Sequence, residues 1–284
     1  MLEFLISLGV CAWGIYLIFR ENKRPVMRQI FCRIEVVEHA QYVELVVENG
    51  YGVDITASFD WKVVQHLKPE NGLLPGAVIP GHQTVSVCKL WKTGPPHKIS
   101  VDWSWVWGSA VAEHDPQAVY LLPYPETKSY TVSQGPGGKF SHQGDSYHAI
   151  DFDMPKGCAV TAARAGIVVD LESAFRSVGV NVEAGGNYVL VQHEDETVAE
   201  YFHLKTDGVK VEMGQRVEAG DLLGYSGNTG CSSGPHLHFM VFKARDGHHR
   251  ESLPVRFLVA GSDNPITLQE GKSYRAVWPE AVSV

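Results

Sequence analysis

Between residues 28 and 114 apolar and polar side chains alternate almost one for one. Val53, Ile55, Ala57, Phe59 and Trp61 interleave with Asp54, Thr56, Ser58 and Asp60; Ile99, Val101, Trp103, Trp105 and Trp107 interleave with Ser100, Asp102 and Ser104. Successive side chains of a strand point to opposite faces, so a period of two marks strands with one face on a core and one in water. Residues 42–48 and 84–91 read the same way between Gly, Pro and Asn turns, with no stretch of helical period among them. Residues 28–114 are therefore expected to form a small β-sandwich, its core filled by the tryptophans at 103, 105 and 107. Pro and Gly then accumulate over residues 115–138, which suits a connector. Short strands resume at 159–171, 187–193, 197–203, 222–225 and 236–242. They predict a second, mainly β domain over 139–260, followed by an extension over 261–284.

The amino terminus has another pattern. Residues 4–19 are nearly continuously apolar and stop at Arg20, Lys23 and Arg24. As a helix the run would be about 24 Å long, against a hydrocarbon core of ~30 Å. It has neither a basic start nor a small-residue cleavage site, so residues 1–24 are expected to be an uncleaved membrane anchor. The basic cluster after the run favours a cytoplasmic body by the positive-inside tendency. The chemistry described next favours the opposite side. The latter decides the expectation of a single-pass inner-membrane protein whose catalytic domain faces the periplasm or cell wall.

Composition narrows the function. With 24 basic and 32 acidic residues the net charge is −8, which argues against a nucleic-acid partner because phosphates need a basic footprint. The five cysteines form no C-x-x-C pair, so they are not a zinc ribbon; buried thiols are expected, with a Cys32–Cys88 bridge open outside the cytosol. The 13 histidines matter more for their grouping. His236 and His238 are two apart on a strand and project to one face. His142 and His148 lie near Asp151, and His203 closes another strand. A catalytic zinc site uses three protein ligands and keeps one position open, with basic groups nearby but off the metal. His142, Asp151 and His238 would supply two nitrogens and one oxygen, leaving His203 and His236 off the metal. Gly230-Cys231-Ser232-Ser233-Gly234 formally matches the serine-hydrolase G-x-S-x-G. That motif needs a strand before it and a helix after it, and here a Gly-rich turn precedes and a strand follows.

The segments Ala149-Ile150-Asp151-Phe152-Asp153-Met154-Pro155, Gly186-Asn187-Tyr188, Tyr201-Phe202-His203-Leu204, Gly224-Tyr225-Ser226-Gly227-Asn228 and Gly234-Pro235-His236-Leu237-His238-Phe239 together resemble the LytM/lysostaphin-type zinc metallopeptidases. The resemblance runs over about residues 130–257. It implies an antiparallel β-sheet groove with one zinc ion at its floor, and hydrolysis of peptidoglycan peptides. By position it implies Asp151 and His238 as metal ligands, and His203 and His236 as the catalytic imidazoles. The commoner family spacing, His-x-x-x-Asp, puts Tyr147 where the first ligand should stand. A shorter variant carries that His in a Ser-His-x-Gly segment, here His142, which is preferred over His148. The rival reading is a catalytically inactive relative that binds cell wall or activates a partner hydrolase.

Overall fold

The computed structural model of the chain describes residues 32–179 and 185–278. The expected anchor over residues 1–24 lies outside the described residues. Among these, no helix is long and apolar enough to cross a membrane.

Seven strands come first: β1 (Cys32–Glu38), β2 (Tyr42–Asn49), β3 (Ile55–Gln65), β4 (Leu67–Pro69), β5 (Gly76–Ile79), β6 (Thr84–Lys92) and β7 (Lys98–Trp107). They build two antiparallel sheets, ordered β1-β2-β6-β4 and β5-β3-β7. The alternation in sequence becomes the alternation in burial: along β2, Val43, Leu45 and Val47 are buried while Tyr42, Glu44, Val46 and Glu48 are half-exposed. Those side chains share one apolar cluster with Ile55, Ala57 and Phe59 of β3 and with Ile99, Val101 and Trp107 of β7. Trp103 and Trp105 pack against this core while remaining partly exposed, and Trp105 meets Trp107 edge-on at 4.8 Å. Cys32 is opposite Asn49 on one side of β2, and Cys88 is opposite Leu45 on the other. They are two strand spacings apart and also offset by four residues along β2, well over ~10 Å in all, so the Cys32–Cys88 bridge does not form.

The rest of the chain adds β8 (Val119–Leu121), β9 (Ser129–Gln134), β10 (Ile150–Phe152), β11 (Ala159–Thr161), β12 (Gly166–Glu172), β13 (Asn187–Gln192), β14 (Val198–Leu204), β15 (Arg216–Val217), β16 (Leu222–Tyr225), β17 (Leu237–Ala244), β18 (Arg250–Ser252), β19 (Arg256–Leu258) and β20 (Ser273–Arg275). Nine of them form one sheet, ordered β15-β12-β13-β14-β17-β10-β9-β20, with β18 also paired to β17. The residues expected as a connector, 115–138, thus contribute β8 and β9, and the residues set apart as an extension contribute β20. Each is short and flanked by turn residues, which hides it in the periodicity.

The large sheet has two different faces. On one, Val189, Val191, Ala199, Tyr201, Leu237, Phe239 and Val241 form a core with Tyr120, Leu122, Tyr124 and Phe257. On the other, Leu190, Val198, Met240 and Phe242 belong to the same apolar cluster as the amino-terminal sheets. The hairpin after β17 reinforces this junction, where the Gly247 amide donates to Ser58 Oγ at 2.9 Å. The face that carries Met240 also carries His238, two residues earlier.

Candidate metal centre

Antiparallel register brings the first acidic and basic groups together. Asp151 of β10 is directly opposite His238 of β17, and opposed residues share a face of a sheet. His238 Nδ1 is 2.9 Å from Asp151 Oδ1. His142 arrives from the loop between β9 and β10. Gln134 ties that loop down: its Oε1 accepts the Phe140 and Ser141 amides at 3.0 and 3.3 Å, and its Nε2 donates to Asp151 Oδ2 at 3.1 Å. Gly138 makes the close approach possible, since a Cβ there would fall 2.2 Å from Gln134 Cγ.

His142 is fully buried. Its Nδ1–H donates to the Gly135 carbonyl at 2.9 Å, which leaves the lone pair on Nε2. That nitrogen is 3.1 Å from Asp151 Oδ1 and has no hydrogen-bond partner among the described residues. A lone pair held against a carboxylate oxygen is unfavourable unless a proton or a cation lies between them. One ligand atom from each of His142, Asp151 and His238 lies within 4.8 Å of the other two, and this is the one such cluster among the described residues. Two imidazole nitrogens and one carboxylate oxygen are a donor set that suits zinc. The residues present therefore fit the metal.

The protonation preferences of the bare site agree. Burial by itself pushes the Asp151 carboxyl up, but the neighbouring His142 and His238 imidazoles overcome it and hold the group far below the usual carboxylate range. Burial pushes His142 down, and its contacts with Asp151 more than reverse this. The Asp151 carboxylate thus stays ionised at the centre of the cluster and favours a positive charge beside it.

Two further imidazoles border the cluster. His236 Nε2 is 4.0 Å from Asp151 Oδ1, and its Nδ1–H donates to the Gly234 carbonyl at 2.8 Å. The His203 ring lies 4.5 Å from that of His236 and 6.1 Å from that of His238. Strand alternation alone would turn His203 toward the core with Tyr201. Instead the β13–β14 register shifts there and His203 takes φ of +63°, a bulge that re-aims its ring to the site face. Its Nδ1–H donates to the Thr229 carbonyl at 2.7 Å. That carbonyl is presented by a tight turn at Gly230, where φ is +84° and a Cβ would come 2.2 Å from the Gly185 oxygen. Burial, and then the neighbouring His236, push His203 down to about 4.

Other candidates fall elsewhere. His148 stacks edge-on against Tyr147 and donates its amide to Ser252 Oγ, outside the cluster. His193 is buried beside Tyr120 and bonded to the Ala165 carbonyl. The Ser232 hydroxyl is engaged by Asn228 and the Gly234 carbonyl, with no helix after it. Sequence reasoning did not reach Glu200, Arg250 or Gln134, which abut the cluster from β14, β18 and β9.

Residues 145–251 match the sequence model of peptidase family M23. Over this span the chain is similar to the M23 peptidases. The similarity to lysostaphin of Staphylococcus simulans is 35% identity over 148 residues, 52% of this chain and 27% of that protein. A peptidoglycan DD-endopeptidase of Vibrio cholerae, ShyA, is 38% identical over 93 residues, 33% of this chain and 19% of that protein. The lysostaphin catalytic domain aligns in three dimensions over 44% of this chain and 88% of its own, with 25% identity and a TM-score of 0.32. The aligned part of the chain spans between 19% and 35% of the length of these and two further relatives. The matched span encloses Asp151, His203, His236 and His238, while His142 lies three residues before it.

Proposed function

We propose that this chain is a zinc-dependent endopeptidase that hydrolyses peptide bonds in bacterial peptidoglycan. One observation carries the reading: His142 Nε2, Asp151 Oδ1 and His238 Nδ1 converge, with two more imidazoles at their edge. The similarity to lysostaphin and to a peptidoglycan DD-endopeptidase supports the substrate class. In this reading His142, Asp151 and His238 hold one zinc ion. When bound, zinc polarises the scissile carbonyl and acidifies water.

The chain's own groups supply the rest. His203 and His236 both keep their Nδ1–H on backbone carbonyls, so each presents Nε2 toward the site. His203, depressed by burial, is neutral at neutral pH, so its Nε2 can accept a proton from attacking water. Once protonated, the same nitrogen can donate to the leaving amine. The second imidazole, once it carries a proton on Nε2 as well as on Nδ1, donates to the oxyanion of the tetrahedral intermediate. The β domain over 28–114 and the M23-like domain work as one body, and the apolar run at residues 4–19 supports a membrane tether that holds both near the wall.

The test is metal analysis of the purified chain paired with digestion of purified cell wall. Bound zinc, soluble peptide-bearing fragments, and loss of both on chelation are expected. Zinc-loaded protein that sediments with wall but releases nothing would convert the reading to the inactive, wall-binding relative.

A further inference from the structure

Three of the four imidazoles at the centre are oriented alike. His142, His203 and His236 each anchor Nδ1–H on a backbone carbonyl, at 2.9, 2.7 and 2.8 Å, and present Nε2 to the site. His238 is reversed. It presents Nδ1 to Asp151, so its remote nitrogen is Nε2, and what faces that nitrogen is Glu200 Oε1 at 3.8 Å.

Glu200 is a charged side chain in an unusual place. It is on β14 opposite Met240, two register steps from the Phe202–His238 pair and on the same face, and only 9% exposed. Burial should push its carboxyl up, yet the charges of Arg250 and His238 bring it below the ordinary value. Arg250 Nη1 donates to Glu200 Oε2, and its guanidinium lies 4.8 Å over the Phe242 ring. The Arg250 amide donates to Asp145 Oδ2 at 3.2 Å, and Ser252 Oγ on the same strand accepts the His148 amide. Strand β18 therefore holds the loop that carries His142 with the Arg250 amide and the Ser252 hydroxyl, and the carboxylate behind His238 with its arginine side chain.

We infer that Glu200, fixed by Arg250, is the positioning residue that sets the tautomer of His238. A neutral imidazole has one N–H. Asp151 Oδ1, at 2.9 Å, draws it to Nδ1, which removes the lone pair a metal needs. The Glu200 carboxylate draws it to Nε2 and leaves Nδ1 open. A carboxylate behind a metal-bound imidazole fixes ring orientation and raises its basicity, and removing such a partner weakens metal affinity by about 10–100-fold.

The inference rests on the reading of the cluster as a zinc site. The experiment compares the full chain with a Glu200→Leu/Arg250→Met double variant. Apolar residues of similar volume commonly replace a buried ion pair without loss of fold. Zinc affinity is measured by competition with a chelator, and ¹⁵N imidazole spectra of metal-free protein report the His238 tautomer. We expect about 10–100-fold weaker zinc binding in the variant, with His238 shifted toward its Nδ1–H form. Wild-type affinity and an unchanged tautomer would overturn the inference. A parent chain that takes up no zinc would overturn the zinc reading itself, a separate outcome. Should the double variant fail to fold, Glu200→Gln, of the same shape but neutral, gives the same two readouts with the same expected direction.

Discussion

Two ends of one sheet face, only two residues apart along β17, have opposite characters. At His238 the face holds a carboxylate and four imidazoles. At Met240 and Phe242 it sinks into an apolar cluster shared with Ile55, Phe59 and Trp107 of the amino-terminal sheets. Strand alternation treats the two ends identically, so the difference comes from what covers them. The amino-terminal sheets shut water out of one end, where only apolar side chains can be buried without penalty. Loops at 135–149 and 226–236 border the other, and their carbonyls orient imidazoles. Glu200 stands at the boundary, which is why its charge comes with a partner.

Substitutions at the two ends should fail in different ways. His238→Ala is expected to abolish both zinc binding and wall digestion, read by metal analysis and release of soluble fragments. His236→Ala should keep its zinc and lose about 10²–10³-fold in turnover, the usual range for a missing oxyanion donor. Parent-rate digestion by that variant would remove the role given to His236. At the covered end, Leu190→Ala should destabilise the fold by about 2–5 kcal/mol in denaturant titration, with zinc affinity of the folded protein unchanged. A large fall in zinc affinity there would mean that the two ends are not independent.

The smallest effect lies away from both ends. Burial pushes His193 from 6.5 down to about 4, with the Ala165 carbonyl and the charges of Arg164, Asp195 and His114 as lesser influences. Between those values the unfolded chain binds more protons than the folded one, so stability rises with pH. The contribution of up to ~3 kcal/mol is complete above pH 6.5 and is lost as pH falls toward 4. Unfolding of His193→Gln, followed across that window, should show a shallower slope than the parent.

Much of this was legible in the sequence where the governing rule is local. The i, i+2 rule placed His236 and His238 on one face, and the alternation foretold the buried positions of β2 and most of those of β3 and β7, while Trp61, Trp103 and Trp105, expected in the core, stay partly exposed. Zinc as the fitting metal followed from residue types. The choice of His142 over His148 came from resemblance, because the loop folds back through Gln134 and no periodicity encodes that. The bulge at His203 was invisible, since nothing in Tyr-Phe-His-Leu announces a positive φ. The Glu200–Arg250 pair and the apolar junction between the amino-terminal sheets and the large sheet join residues far apart in the chain, beyond any window of pattern. The strands at 119–121, 129–134 and 273–275 are too short to outweigh the Pro and Gly around them.

The last of these has a practical side. β9 hydrogen-bonds β10 on the side away from β17, with Gln134 opposite Asp151, and β20 in turn edges β9. β8 lies parallel to β19, joining residues 119–121 to 256–258. A fragment trimmed to residues 139–260 would strip β9, and β20 beyond it, from the strand that bears the carboxylate, leave an open edge prone to self-association, and delete the amide that holds Asp151 Oδ2. Recombinant versions intended to retain the centre should start before Val119 and run past Arg275.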